Sequence, residues 1–297
     1  MEQIPVDIEK KLKAVIRRIE AAAVFDGVEC SSFNDSTSLK ALVKVSGMSE
    51  RSLREWFKVY TGQKISRYVS KRRAEYAARI FRLFPDTSKS DVSRIIGLSN
   101  TQSLYPLMSK NGIAAIDRLR GTDMMHDFKY LNFRYDRLPD CVMFYTLNEI
   151  IYKKCSSNEY EIENWDKIGT FIKNKFPGAI VIGDIGFAID KYIENREEEG
   201  IFISGILCKN VSMAQLSPDI IGEFGWLLLP GKDYAVFIHN GEYNDLSDTY
   251  FSGIHTLRQN NIQIDKSHLI MEKYLNSPID TAVEELLTEI WIPIIRY

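Results

Sequence analysis

The sequence predicts two domains of different fold classes: an all-α domain in residues 1–120 with two helix-turn-helix units, and an α+β domain in residues 121–297 that repeats a strand–helix–strand–strand unit. Apolar residues recur at helical spacing in the first segment and alternate along strands in the second. The charge changes at the same place. The first segment holds 22 Lys and Arg against 13 Asp and Glu, a net of +9, whereas the second holds 16 against 27, a net of −11. The basic domain therefore has the charge to bind a polyanion, and the acidic one does not.

The stretch 47–58, GMSERSLREWFK, predicts the second half of a helix-turn-helix. Gly47 allows a tight turn, and Ser49 is a good N-cap for the helix that follows. Leu53, Trp56 and Phe57 fall at helical spacing and can hold this helix against a core. The opposite face carries four charged residues that we assign to DNA contact in a major groove: Arg51, Arg54, Glu55 and Lys58. An ordinary helical hairpin with a solvated charged face is the alternative that these residues alone leave open.

The flanking segments continue the helical pattern. The preceding helix has an apolar face and a hydroxyl N-cap: Leu39, Leu42 and Val43, after Ser38 or Thr37. Gly62 ends the recognition helix, and the long helix after it is predicted to direct Lys71, Arg72 and Arg73 outward.

A second turn-helix candidate follows in DVSRIIGLSNTQSLYPLM. Its recognition helix is predicted from about Asn100 to Lys110, and it contains Pro106. Proline inside a helix removes a hydrogen bond and clashes with the preceding turn, so this unit is expected to contribute little sequence readout. Three polar residues of its first turn remain candidates for DNA contact: Thr101, Gln102 and Ser103.

Two such units joined by one long helix resemble the AraC/XylS family of bacterial transcription regulators, over roughly residues 10–120. The residues that carry the resemblance occur in order: Gly47, Ser49, Leu53, Phe57, Lys58 and Gly62, then Arg73 and Ala77, then Val92, Ser93 and Gly97. The resemblance implies binding to double-stranded DNA, with Arg51 and Arg54 at base edges and Lys58 nearer the backbone. Glu55 departs from this pattern because it repels phosphate, although it can accept a hydrogen bond from a cytosine amine.

Beyond a boundary near residues 120–127, eight segments read as strands and two as helices. The strand segments are FKYLNFRYD, CVMFYTL, AIVIGDIGFAI, GIFISGILC, FGWLLLP, YAVFIH, LIMEKYL and TEIWIPII, and the helical ones are ENWDKIGTFIKNKF and LSDTYFSGIHTLRQN. Their order repeats a βαββ unit, which predicts two sheets side by side with helices covering one face. A cleft along the seam between the repeats is the natural place for a ligand.

This layout and the terminal string NSPIDTAVEELLTEIWIPI resemble the GyrI-like effector-binding domain, over most of residues 125–297. Strand parity places Ile290, Ile292 and Ile294 on one face and Glu289 with Trp291 on the other. A carboxylate in mid-strand is costly without a partner or water. The resemblance implies that Glu289 lies in a hydrophobic pocket and attracts a cationic or polar ligand, and an exposed or paired strand carboxylate is the alternative.

Two further aromatic residues, Trp226 and Tyr145, are candidate pocket walls beside Trp291, although each could equally belong to the core. A carboxylate among aromatic rings favours a flat or cationic amphiphile, through its charge and through cation–π attraction. The acidic domain is therefore expected to bind a small molecule of this class.

No catalytic, cofactor or metal motif is recognisable in the sequence, so we expect neither an enzyme nor a cofactor. The cysteines are scattered without a CxxC pair: Cys30, Cys141, Cys155 and Cys208. The start of the sequence, MEQIPVDIEKKLK, has no apolar signal core and predicts a cytoplasmic protein.

The sequence thus predicts a ligand-sensing transcription regulator with double-stranded DNA, a small-molecule effector and RNA polymerase as partners, and no membrane partner. Two alternatives stay open. Some GyrI-like domains resemble small hydrolases in which a buried Glu activates water, and the chain could also be a ligand-binding protein with weakened DNA binding.

Overall fold

The computed structural model describes residues 4–25, 33–113, 116–121, 128–150, 159–188, 200–216, 224–266 and 268–296. The chain divides into two compact units, Met1–Met124 and Met125–Tyr297. In the described ranges, no helix combines the length and apolar composition needed to cross a membrane.

The first unit is helical throughout its described ranges. Its helices are α1 (Val6–Phe25), α2 (Phe33–Thr37), α3 (Leu39–Ser46), α4 (Glu50–Thr61), α5 (Ile65–Leu83), α6 (Lys89–Ile95), α7 (Leu104–Lys110) and α8 (Ile116–Gly121). The core beneath α3 and α4 is built with α1 and the start of α5, and its buried members are Leu12, Val15, Ile19, Leu42, Met48, Leu53, Phe57 and Ile65.

Side-chain caps and glycines set the ends of α3 and α4. Ser38 caps α3 by accepting from the Ala41 N–H at 3.2 Å, and Ser49 caps α4 in the same way from Ser52. Gly47 ends α3 at a φ of +61°, a left-handed conformation that glycine adopts without steric cost. The two helices are therefore joined by a three-residue turn, as the sequence predicts.

The second helix pair departs from the predicted single helix between Asn100 and Lys110. Asn100 instead caps a short 3-10 turn, Thr101–Ser103, and α7 begins only at Leu104. Pro106 is the third residue of α7, where its missing N–H faces the 3-10 turn. The proline therefore shortens the helix rather than kinking it, because the first turn of an α-helix tolerates proline.

The prediction that Arg72 of α5 faces solvent is wrong. Arg72 is buried, and its Nε donates to Glu20 of α1 at 2.6 Å while its Nη1 donates to Glu75 at 2.7 Å. Tyr68 also donates to Glu20. Burial raises the pKa of the Glu20 carboxyl above its usual value, and the Arg72 charge partly offsets that rise. Arg72 turns inward because it compensates a buried carboxylate on a neighbouring helix.

In its described ranges, the second unit is built on one antiparallel sheet with two α-helices. Its strands are β1 (Arg134–Leu138), β2 (Cys141–Ile150), β3 (Ile180–Ala188), β4 (Gly200–Lys209), β5 (Gly225–Leu229), β6 (Lys232–Asn240), β7 (Met271–Tyr274) and β8 (Leu287–Pro293), and its helices are α9 (Glu159–Lys175) and α10 (Leu246–Gln259). The spatial order is β1-β6-β8-β7-β3-β4-β2-β5. The two sheets that the sequence predicts side by side form one continuous sheet, because β3 pairs with β7 and joins the halves.

A long two-stranded ladder connects the ends of this sheet. Leu138 lies opposite Lys232 in the β1–β6 pair, and Cys141 lies opposite Leu229 in the β2–β5 pair. Two residues on each strand separate these pairs, so the register continues unchanged from one to the other. At this junction the Gly231 N–H donates to Asp140 at 2.6 Å. The sheet must curl, because β1 at one end runs within two residues into β2 near the other end.

The two faces of the sheet have different neighbours. Apolar side chains of the helix face pack under α9, including Phe144 and Ile206. A Cβ added to Gly253 of α10 would lie 3.2 Å from both Ile292 and Phe237, so α10 rests directly on this face. On the opposite side of the curled sheet, here called the inner face, four residues with low exposure are Met143, Ile185, Val236 and Met271.

Candidate functional site

The charged side chains of α4 lie on the surface of the first unit. Arg51 and Arg54 expose 88% and 56% of their side chains, and each forms an ion pair one turn away. Arg51 donates to Glu55 at 3.0 Å, and Arg54 donates to Glu50 at 2.9 Å. Exposed pairs at this spacing contribute only ~0.2–0.5 kcal/mol each to stability, so both guanidinium groups are available to a stronger partner.

The polar residues of the second helix pair lie around the 3-10 turn. Asn100 accepts hydrogen bonds from the N–H and the hydroxyl of Ser103 at 2.9 and 3.0 Å, so Ser103 is engaged within the turn. Gln102 is exposed and Thr101 is half-buried. Compared with α4, this unit presents a short irregular element with no cation among these three residues.

Both oxygens of Glu289 have partners inside the second unit. Arg134 of β1 donates to Oε1 at 2.7 Å, and the Trp291 indole donates to Oε2 at 2.8 Å. The Glu289 side chain is 8% exposed, whereas that of Arg134 is 47% exposed. The Trp291 ring also lies 5.5 Å from Tyr234 and 5.5 Å from the Lys273 ammonium. Glu289 thus corresponds to the paired strand carboxylate that the sequence left as an alternative.

The other two predicted ligand residues do not join Glu289. Tyr145 shares the inner face by register but lies on β2, four strands away, where its ring covers Gly225. Trp226 pairs with Phe144 and lies against the helix-face core. Trp226 and Glu289 therefore lie on opposite faces of the sheet, and the prediction that Trp226 is a pocket wall stays a prediction.

A second buried carboxyl, Glu272, lies on the helix face at the seam between the two halves of the sheet. It is 4% exposed and pairs with Gly186 of β3. Tyr250 of α10 donates to its Oε1 at 2.9 Å, and Tyr274 donates to its Oε2 at 2.6 Å. The carboxyl therefore accepts from two phenols that come from different elements.

One of these phenols, Tyr274, contacts two further aromatic rings. The Tyr274 ring lies 5.0 Å from Trp165 of α9 and 5.3 Å from Tyr243, which precedes α10. Trp165 is held in place because its indole donates to the carbonyls of Ile185 and Gly205. We call Glu272, Trp165, Tyr243, Tyr250 and Tyr274 the seam cluster.

The sequence contains a local signal for Glu272. A carboxylate sharing a strand face with an aromatic singled out Glu289 and Trp291, and the same spacing recurs in Glu272 and Tyr274 of LIMEKYL. Parity alone does not say which strand face the helices cover at a seam. The seam cluster also needs Trp165, which lies more than a hundred residues before Glu272.

The cysteines and histidines in the described ranges offer little chemistry. Burial raises the pKa of the Cys141 and Cys208 thiols to about 12, which disfavours the reactive thiolate. His239 contacts Thr249 and the Glu242 carbonyl through its two ring nitrogens, at 2.8 and 2.9 Å. Among the residues described, no group of three His, Cys, Asp or Glu side chains could hold a metal ion.

Residues 194–295 match the sequence profile of a family described as the GyrI-like small molecule binding domain. A GyrI-like domain is thus present in the second unit. This stretch includes Glu272, Tyr274 and Glu289. No curated protein is a significant match to the chain.

Solved structures resemble the chain at low identity. The crystal structure of the EcmrR C-terminal domain is 15% identical and covers 57% of this chain and 100% of its own, with a TM-score of 0.42. The cryo-EM structure of the EcmrR–DNA complex in EcmrR-RPo is 12% identical over 87% of this chain and 99% of that chain, with a TM-score of 0.43. A hydrolase from Listeria innocua is 14% identical over 59% and 98%, with a TM-score of 0.37. At TM-scores below 0.5, neither fold nor function is carried over to this chain.

Proposed function

We propose that the protein is a transcription regulator of the AraC type that binds double-stranded DNA through its first unit and a small amphiphilic or cationic molecule through its second. The observation that carries this proposal is the capped, basic α4 on a net-positive unit, in one chain with a GyrI-like domain. RNA polymerase is a further proposed partner.

The DNA-binding part follows from the shape and charge of the helix pair α3–α4. A helix fixed by a tight turn and a buried apolar face presents its other face rigidly, which suits a major groove. Lys58 and the two arginines of α4 supply the positive charge. Anisotropy titrations with duplex DNA should show affinity that falls steeply as salt increases, because bound phosphates release counterions. Salt-independent or absent DNA binding would refute this part.

The ligand-binding part rests on the seam cluster. Glu272 accepts from Tyr274, whose half-buried ring contacts the half-buried rings of Trp165 and Tyr243 at the seam where the sequence predicts a ligand cleft. A cation between such rings gains both carboxylate and π attraction. Glu289 is the weaker candidate, because a ligand would first have to displace the Arg134 guanidinium.

Substitution of the two glutamates tests this choice. We expect Glu272→Gln to weaken the binding of cationic amphiphiles at least tenfold and to leave neutral ones less affected, because the amide keeps the shape but not the charge. Glu289→Gln, the matched control, should change affinity less than threefold. Calorimetry against a panel of cationic and neutral amphiphiles measures both. If only Glu289→Gln loses affinity, the ligand site lies on the inner face. Equal affinities in the parent and both variants would exclude both glutamates from the ligand site.

The two helix pairs are expected to contribute unequally to DNA readout. Gln102→Ala should weaken specific binding by less than threefold, since the 3-10 turn presents no cation and α7 is short. Arg54→Ala should weaken it at least tenfold. Footprinting should show one strongly protected groove per protein; two equally protected segments roughly 34 Å apart, with equal losses in both variants, would contradict this prediction.

We also propose that the second unit binds its ligand without converting it. Glu272 is the residue that favours the alternative, a hydrolase, because a buried carboxyl can activate water. Both of its oxygens, however, already accept from phenols. Mass spectrometry of a bound ligand recovered after long incubation tests the point: an intact ligand agrees with the proposal, and a hydrolysed one would replace it by the alternative.

A further inference from the structure

Tyr274 occupies the centre of the seam cluster. Its hydroxyl donates to Glu272 at 2.6 Å, and its ring contacts Trp165 at 5.0 Å and Tyr243 at 5.3 Å. An aromatic ring in contact with two other rings, with a polar group on a buried carboxyl, makes the contacts that an aromatic ligand would make there. Here the chain itself supplies that ring.

Gly186 makes room for Tyr274 on the neighbouring strand. A Cβ at this position would lie 2.7 Å from the Tyr274 hydroxyl, 2.8 Å from its ring, and 2.5 Å from the Phe202 ring. Because such contacts are closer than atoms tolerate, any larger residue at 186 would force Tyr274 or Phe202 to move. The absence of a side chain at Gly186 thus leaves the space that the Tyr274 side chain fills.

The two phenols on Glu272 differ in their freedom to move. Tyr250 is 4% exposed and belongs to α10, so neighbouring atoms hold its rotamer. Tyr274 is half-buried and is the last residue of β7, and the chain bends immediately after it. A change of its side-chain rotamer would break its hydrogen bond to Glu272 without unfolding the strand.

We infer that Tyr274 is a resident occupant of the ligand site, and that a flat aromatic cation binds by taking the place of its ring and hydroxyl. This inference rests on the proposed function, because it concerns the same site. Tyr274 is then a specificity-determining residue. Only a ligand that replaces both the ring contacts of Tyr274 and its contact with Glu272 displaces this side chain. The apparent affinity for the ligand is the intrinsic affinity multiplied by the fraction of molecules in which Tyr274 has left the site.

Titration of the full chain with thioflavin T, a flat monocationic dye, tests the inference by fluorescence. Tyr274→Ala should tighten dye binding tenfold or more, because the competing occupant is gone. Tyr274→Phe, which loses only the hydroxyl, should tighten it by less. Gly186→Ala should also tighten it, since the added methyl group crowds both the hydroxyl and the ring of Tyr274; it also crowds Phe202, which is not a member of the seam cluster. Tyr135→Ala, at an exposed tyrosine of β1, should leave binding unchanged.

The outcomes separate the inference from the proposed function. If Tyr274→Ala and Gly186→Ala, folded by circular dichroism, bind the dye no tighter than the parent, Tyr274 is a fixed wall and the inference is overturned. If binding in the Tyr274→Ala background does not weaken on adding Glu272→Gln, the dye is not at the seam cluster, and the proposed ligand site itself fails. Tighter binding that is lost with Glu272→Gln supports both.

Discussion

Replacing Arg51 and Arg54 together by alanine is expected to abolish sequence-specific DNA binding while leaving the first unit folded. Releasing each guanidinium from its ion pair on α4 costs only ~0.2–0.5 kcal/mol, and a bidentate contact with guanine supplies ~1–3 kcal/mol of discrimination. The gain therefore exceeds the cost at both positions. Two lost contacts should reduce the specificity ratio by at least about 30-fold, measured with genomic duplexes enriched by the parent protein against a scrambled duplex.

The matched control for this experiment lies on α1. Lys10→Ala with Lys13→Ala also removes two exposed positive charges from the first unit, one of them in a pair with Glu9 at 2.8 Å. This variant should lose some nonspecific affinity at low salt and keep its specificity. Equal effects from the two double variants would mean that α4 contributes charge but no base readout. Unchanged footprints for Arg51→Ala/Arg54→Ala would refute the assignment.

The second large effect is expected at the buried ion cluster of α5. Arg72→Met would leave Glu20 and Glu75 buried without the guanidinium that both contact. Removing one partner of a buried pair costs about 3–5 kcal/mol. The Glu20 Oε2 atom already has no hydrogen-bond partner among the described residues, so little compensation is at hand. We expect the denaturation midpoint of the first unit to fall sharply, and Arg51→Met, at an exposed pair, to leave it nearly unchanged.

The pH dependence of Arg72→Met has a defined sign. Burial raises the pKa of Glu20 in the folded state, and loss of the Arg72 charge removes an attraction that lowers this pKa. A carboxyl with a raised folded pKa favours folding below its unfolded pKa, and this contribution disappears as the pH rises through the folded pKa. The variant should therefore regain stability in urea titrations as the pH falls from 7 toward 5. Glu20→Gln added to Arg72→Met should restore part of the loss at pH 7; no recovery would show that packing, not charge, sets the effect.

Short-range signals in the sequence predict a good part of the helical unit. Ser38, Gly47 and Ser49 set the ends of α3 and α4 through contacts within a few residues. The local sequence is therefore sufficient to predict these helix ends. The constraint of Pro106 is local as well, and it is consistent with a helix that begins at Leu104 rather than near Asn100. Arg72 could not be placed in this way, because its partner Glu20 lies 52 residues earlier.

The candidate ligand site was harder to predict because its contacts are long-range. Parity correctly groups Glu289 with Trp291, as their hydrogen bond shows. The partner that neutralises Glu289, however, is Arg134, which lies 155 residues away on β1. Glu272 acquires its surroundings in the same way, from α9, α10 and β3. A single strand shows that a carboxylate needs compensation, but the fold decides whether the chain or a ligand supplies it.

The continuous ladder formed by β1–β2 and β5–β6 has a consequence for synthesis of the chain. In this ladder β1 pairs with β6, and β2 pairs with β5. When β2 has been synthesised, the edge that later binds β5 stays unpaired until β5 has emerged, about eighty residues later. An exposed strand edge invites pairing with other chains. Contacts so distant in sequence also close slowly. During translation, the second unit is thus expected to depend on protection of that edge by a chaperone or by the ribosome itself. A chain released before residue 225 has been added would have an incomplete sheet that is prone to aggregation.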